Sequence, residues 1–309
     1  MIFWDTYLKS FIEHMHIINQ SRLTIKLRLW CLKKFFQFLR SYPLEDIFDI
    51  TEDHIKDYQR FRYYYQNRFK RNDTPNAQNR HLASLKTFFR YLKYEGIILN
   101  NPCKDIPYAK EPKRLPKSSL SNKEMKKLLR QPDTHSVNGY RDRTILELIY
   151  STGIRRNELL NLKIQDVDYE EGYLRVNQGK GNKDRVVPIG RIACHYLETY
   201  IRGIRPMLLK NKKEMFLFLS RRGSRLCRSR LSEMVLYYAE RTGIEKHITS
   251  HTLRRSCATE MIKNKANLMH VKDLLGHNSM ETIQTYCNLS IVDLKEAHKK
   301  CHPRENDEK

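Results

Sequence analysis

TGIRRNELL, residues 152–160, joins a helix expected at 140–151 to another at 155–162. Arg155 heads the second of these helices. Glu158 follows three residues later, where a helix brings it onto the same face. Its simplest role is a carboxylate that orients the arginine.

Four further phrases extend the pattern along the chain. They are GKGNKDRVVPI at 179–189, SHTLRRSCAT at 250–259, LLGHNS at 274–279 and TIQTYCNLS at 282–290. Together the five phrases single out Arg155, Lys180, His251, Arg254, His277 and Tyr286. Two arginines can clamp a phosphate with planar, permanently charged forks. A lysine and a histidine can move protons. A tyrosine oxygen can attack phosphorus. His251 and Arg254 are three residues apart and share a helix face.

The order, spacing and flanking residues of these phrases resemble the tyrosine recombinase (phage integrase) family. Its pattern is Arg, Lys, His-x-x-Arg, His or Trp, then Tyr. The resemblance covers residues 119–300 and, more loosely, the N-terminal part. It implies that Tyr286 is the nucleophile and that Arg155 and Arg254 clamp the scissile phosphate. Lys180, on a β-hairpin turn, is implied as the general acid for the departing 5′ oxygen, with Lys183 as its close competitor. His251 would accept the nucleophile's proton or hold a phosphate oxygen, and His277 would hydrogen-bond a non-bridging oxygen. A free tyrosine has a pKa near 10, so only about one in a thousand is ionised at neutral pH. A cationic pocket must therefore activate Tyr286. The product would be a 3′-phosphotyrosine, which a free 5′-hydroxyl can reverse without ATP. No cofactor and no metal are expected, because metal-dependent strand transfer needs an acidic cluster and none stands out. The spacings of Cys257, His270, His277 and Cys287 match no usual zinc pattern.

Net charge is +23, from 58 Lys+Arg against 35 Asp+Glu, which points to a polyanionic partner. Both parts of the chain are basic: residues 1–110 carry +8 and residues 111–309 carry +15. That suits double-stranded DNA gripped by two domains. The resemblance further implies a homotetramer on two DNA sites, with a partner recombinase or accessory factor possible. Seven cysteines with no C-x-x-C pair read as reduced thiols of a cytoplasmic protein. No apolar run is long enough to span a bilayer, and the N-terminus lacks the pattern of a secretory signal.

Apolar residues fix the expected helices. Ile25, Leu29, Leu32, Phe36 and Leu39 form one stripe, and Leu82, Leu85, Phe89 and Leu92 another. Ile55, Tyr58, Phe61 and Tyr65 form a weaker third, and a first helix is expected near residues 6–19. Residues 100–120 hold four prolines and many lysines, as an extended linker does. Ser121 and Glu124 form a capping-box signature at the head of a helix. Residues 173–177 and 185–189 are β-rich around a glycine-rich turn. Helices are expected again at 190–202, 228–242, 251–264, 268–275, 279–287 and 291–300. The fold class is mainly α with a small antiparallel β-sheet. The resemblance divides it into an N-terminal helical (SAM-like) core-binding bundle at 1–108, a linker at 109–120 and a C-terminal α+β tyrosine recombinase catalytic domain at 121–309. The chain is expected to begin directly with the first of these, with no long insertion before His251. It is therefore expected to be a compact Xer-type recombinase or a simple mobile-element integrase.

Overall fold

The stripe at residues 25–39 becomes the buried face of a helix in a computed structural model that describes residues 4–67, 70–112, 119–177 and 184–276. The chain divides into two units, Met1–Arg114 and Leu115–Lys309.

The first unit holds α1 (Trp4–Ile17), α2 (Arg22–Leu39), α3 (Glu52–Tyr64) and α4 (Pro75–Tyr94). Ser21 caps α2 by accepting from the Thr24 amide at 3.1 Å, satisfying a donor that has no partner within the helix. Thr74 does the same for α4, where Pro75 in the first turn has no N–H to leave unsatisfied. Ile25, Leu32, Phe36 and Leu39 of α2 meet Leu82, Leu85, Phe89 and Leu92 of α4 in one core. Aromatic rings knit it together: Trp4 stacks on Phe36 at 4.9 Å, and Phe11 meets Phe88 edge-on at 5.3 Å.

α3 departs from the expected stripe. It buries Ile55, Tyr58 and Arg62, while Phe61 is exposed. Arg62 can enter the interior because Asp73, beyond the end of α3, pairs with its guanidinium. The segment after α4 packs back onto this unit. Cys103 and Ile106 lie in its core, and the Asn79 side chain bonds both the amide and the carbonyl of Ala109.

In the second unit α5 (Asn122–Leu129) opens with the expected box. The Ser121 amide donates to Glu124 at 2.7 Å, and the Glu124 amide donates to Ser121 at 3.3 Å. α6 (Val137–Thr152) is the central helix; its Ile145, Leu146, Leu148 and Ile149 are fully buried. α7 (Arg156–Asn161) leads into a three-stranded antiparallel sheet of β1 (Val167–Asp168), β2 (Tyr173–Val176) and β3 (Arg185–Pro188), in that order. Leu174 pairs with Val187 and Val176 with Arg185. β1 was not expected, since two residues are too short to show alternation.

The single helix expected at 190–202 is α8 (Arg191–Thr199), followed by a π-helical turn, Tyr200–Ile204, and α9 (Arg205–Leu208). Pro206 has no amide proton to continue the ladder. The Tyr200 hydroxyl and the Arg205 guanidinium tie this turn to the carbonyls of Glu214, Phe216 and Leu217. α10 (Arg228–Arg241), α11 (Ser250–Lys263) and α12 (Leu268–Leu275) complete the described part. The helices expected at 279–287 and 291–300 lie outside the described residues. Among the described residues no helix is long and apolar enough to cross a membrane.

Candidate active site

Gly153 ends α6 in the left-handed conformation, with φ at +60°. A Cβ there would lie 2.7 Å from a Leu275 methyl carbon, so the position needs glycine for backbone and space alike. Two residues on, Arg155 caps α7 in an extended conformation. Its amide donates to Glu158 Oε2 at 2.8 Å, and its Nη1 donates to Oε1 at 2.8 Å. Its Nη2 reaches the Gly276 carbonyl at 2.6 Å.

α11 supplies the second arginine. Thr249 caps this helix through the Thr252 amide. His251 and Arg254 then stand about one turn apart. Arg254 is buried, and its Nη1 and Nη2 donate to the carbonyls of Gly153 and Leu275 at 2.5 and 2.6 Å. His251 is exposed and shares an open cleft with Arg254, Arg156, Ser232, His247 and Arg255.

The two arginines meet at the end of α12. The last carbonyls of any helix lack partners within it and carry the negative end of its dipole. Here Leu274, Leu275 and Gly276 accept from Arg185, Arg254 and Arg155 in turn. Gly276, with φ at +62°, closes the helix.

Arg185 was missed in the sequence. It lies in the GKGNKDR phrase, where the lysines drew attention. The available signal was strand alternation: residues two apart share a face, and Val187 is fully buried. An arginine on that face needs an anion, and Glu158 supplies it. Arg185 Nη1 and Nη2 donate to Oε1 and Oε2 at 3.1 and 2.8 Å. Burial pushes the Glu158 carboxyl up. The bonds from Arg185, then from the Arg155 amide and side chain, outweigh it and hold the group at about 2.

Arg155 and Arg254 are thus brought to one helix end, and His251 lies on the same helix as Arg254. Lys180, Lys183, His277 and Tyr286 lie outside the described residues. Two arginines, Arg155 and Arg185, share the Glu158 carboxylate, and Arg254 is held by backbone carbonyls alone, so the three leave excess positive charge. Such an arrangement can hold a tetrahedral anion and stabilise charge that develops on it. Among the described residues no three His, Cys, Asp or Glu side chains gather as a metal-holding group.

Comparison with known proteins places this geometry in a family context. Residues 118–291 match the phage integrase family. The chain is 34% identical over 308 residues to tyrosine recombinase XerC of Oceanobacillus iheyensis, covering 99% of this chain and 98% of that one. It is 35% identical over 300 residues to tyrosine recombinase XerC 2 of Ralstonia nicotianae, covering 96% and 85%. Among solved structures it is similar to XerH site-specific recombinase bound to palindromic difH substrate in a post-cleavage complex. The TM-score is 0.70 and the identity 26%, covering 91% of this chain and 80% of that one.

Proposed function

This chain belongs to the phage integrase family and is a site-specific tyrosine recombinase, and we propose that Tyr286 is the residue through which it cuts and rejoins DNA. The Tyr286 oxygen attacks the scissile phosphorus. A Tyr–O–P bond forms, the P–O5′ bond breaks, and the strand end is held as a 3′-phosphotyrosine with a free 5′-hydroxyl. Attack by a 5′-hydroxyl from a second strand reverses the step, so no external energy source is needed.

Arg155 and Arg254 neutralise the phosphate as charge builds on its non-bridging oxygens. Lys180 protonates the departing 5′ oxygen. His251 takes the tyrosine proton or holds a phosphate oxygen, and His277 donates to a non-bridging oxygen. The observation that carries this reading is the convergence of Arg155 and Arg254 on the carbonyls of Leu275 and Gly276, the residues immediately before His277 in sequence.

The basic N-terminal unit would serve as a core-binding domain on double-stranded DNA, joined to the catalytic domain by a linker at 109–120. XerH is seen with its difH substrate. By the same likeness this chain would assemble as a multimer on DNA, with a tetramer on two sites exchanging one strand pair at a time. Dimer resolution by Xer-type chemistry and integration or excision of a mobile element are both served by this reaction.

Trapping covalent protein–DNA adducts in the native host and sequencing the attached DNA tests the assignment and yields the site. Two copies of the recovered site on a plasmid should then give recombinant products. Relaxation of supercoils without recombinants would place the chain with topoisomerase-like enzymes instead.

A further inference from the structure

We propose that Arg185 is a positioning residue of the cleavage site: it neutralises Glu158 and ties it to the end of α12, leaving Arg155 aimed and charged for the phosphate. The proposal rests on the reading of Arg155 as a phosphate clamp.

Three independent contacts place Arg185. Its fork takes both oxygens of Glu158, and both side chains are largely buried, at 14% and 7% exposure. Its Nε donates to the Leu274 carbonyl at 3.2 Å, one residue before the carbonyl that Arg254 holds. Its guanidinium lies so close to Gly276 that a Cβ there would fall 3.0 Å from Cζ. Its backbone is fixed as well, since Arg185 pairs with Val176 at the start of β3. One side chain therefore joins the sheet, the carboxylate that aims Arg155, and the helix end on which Arg155 and Arg254 converge.

Charge gives the arrangement its purpose. Glu158 accepts four bonds, two from Arg185 and two from Arg155. Without Arg185 the buried carboxylate would face Arg155 alone and cancel its charge. With Arg185 present, the carboxylate is neutralised from the other side, and Arg155 keeps a net positive charge for the phosphate. Methionine at this position would leave the packing and remove the neutralisation. Lysine would keep the charge and lose the fork.

The test uses the full chain on the recovered half-site, made as a nicked suicide substrate that traps the covalent adduct. Arg185→Met should slow single-turnover cleavage at least about tenfold, with half-site affinity within about twofold of the parent. Adding Glu158→Gln should make cleavage no slower than in Arg185→Met alone, because the uncompensated carboxylate is then gone. Multiplied losses in the double variant would mark Arg185 as merely structural and overturn the proposal. Cleavage by Arg185→Met within about twofold of the parent would also overturn it, as would equal losses of rate and affinity. Should the methionine variant not fold, Arg185→Lys decides: a rate at least about threefold lower, not worsened by Glu158→Gln, supports the proposal, and a parental rate overturns it. Absence of any adduct in the parent chain would instead overturn the underlying recombinase site, separately from the role of Arg185.

Discussion

Arg155 donates from Nη2 to the Gly276 carbonyl at 2.6 Å, joining residues 121 positions apart in the chain. Leu275, one residue earlier, accepts from Arg254 at 2.6 Å. A helix end thus organises the two arginines assigned to the phosphate.

Arg155→Ala and Arg254→Ala should each slow strand cleavage by roughly 10²-fold or more, the scale for losing one preorganised charge donor. Half-site affinity should change little, since losing one charge barely alters a net charge of +23. Single-turnover cleavage alongside a gel-shift titration checks this. Affinity falling as far as rate would make both arginines general DNA contacts.

Gly276→Ala should destabilise the second unit. A left-handed alanine costs about 1–2 kcal/mol in backbone energy. Its methyl group would also press on Arg185. Urea unfolding should show a lower midpoint for Gly276→Ala, and an unchanged midpoint would contradict the packing of Arg185 on this residue.

Acid should weaken the two units in different pH windows. In the first unit, burial lowers His81 to about 4, helped by Arg62 and Arg80. The unfolded imidazole binds a proton from 6.5 downward while the folded one stays neutral. Stability is therefore full above 6.5 and is lost as pH falls towards 4, by on the order of 3 kcal/mol. Glu158 in the second unit is held at about 2. Its contribution is full above about 4.5 and is lost only as pH falls from there through the folded value. Both tryptophans, Trp4 and Trp30, lie in the first unit, and Trp30 sits 5.1 Å from His81, ring to ring. Tryptophan-detected unfolding should thus weaken between pH 6.5 and 4, and His81→Gln should flatten that dependence. An equal slope in the variant would rule out His81 as its source.

Lys180→Ala should stall cleavage on an ordinary 5′ oxygen and recover on a 5′-bridging phosphorothiolate, because sulfur leaves without being protonated. Equal loss on both substrates would assign Lys180 to phosphate binding. Rescue of Lys183→Ala in its place would move the general-acid role to Lys183.

Local chemistry made much of this legible in the sequence, and non-local contacts hid the rest. The stripes of α2 and α4 stand out because their apolar residues recur every three or four positions and all face one core. α3 misled because its third inward residue is Arg62, made tolerable by Asp73 beyond the helix end. Arg155 and Arg254 could be picked from their phrases. Their meeting on Leu275 and Gly276 could not, since the acceptors are backbone carbonyls that every residue carries. Arg185 escaped for the same reason in part: one partner is the Leu274 carbonyl, and the other is Glu158, which the sequence assigned to Arg155 alone.

The proposed chemistry makes Tyr286 the nucleophile of a metal-free site. Its most direct test is covalent trapping of the parent chain and Tyr286→Phe on a nicked suicide substrate in the presence of EDTA. The substitution removes one oxygen and no positive charge. The parent should form a 3′-phosphotyrosyl adduct despite the chelator, and the variant should bind the half-site equally well and form none. An adduct in Tyr286→Phe, or one in the parent that appears only when magnesium is restored, would contradict the account.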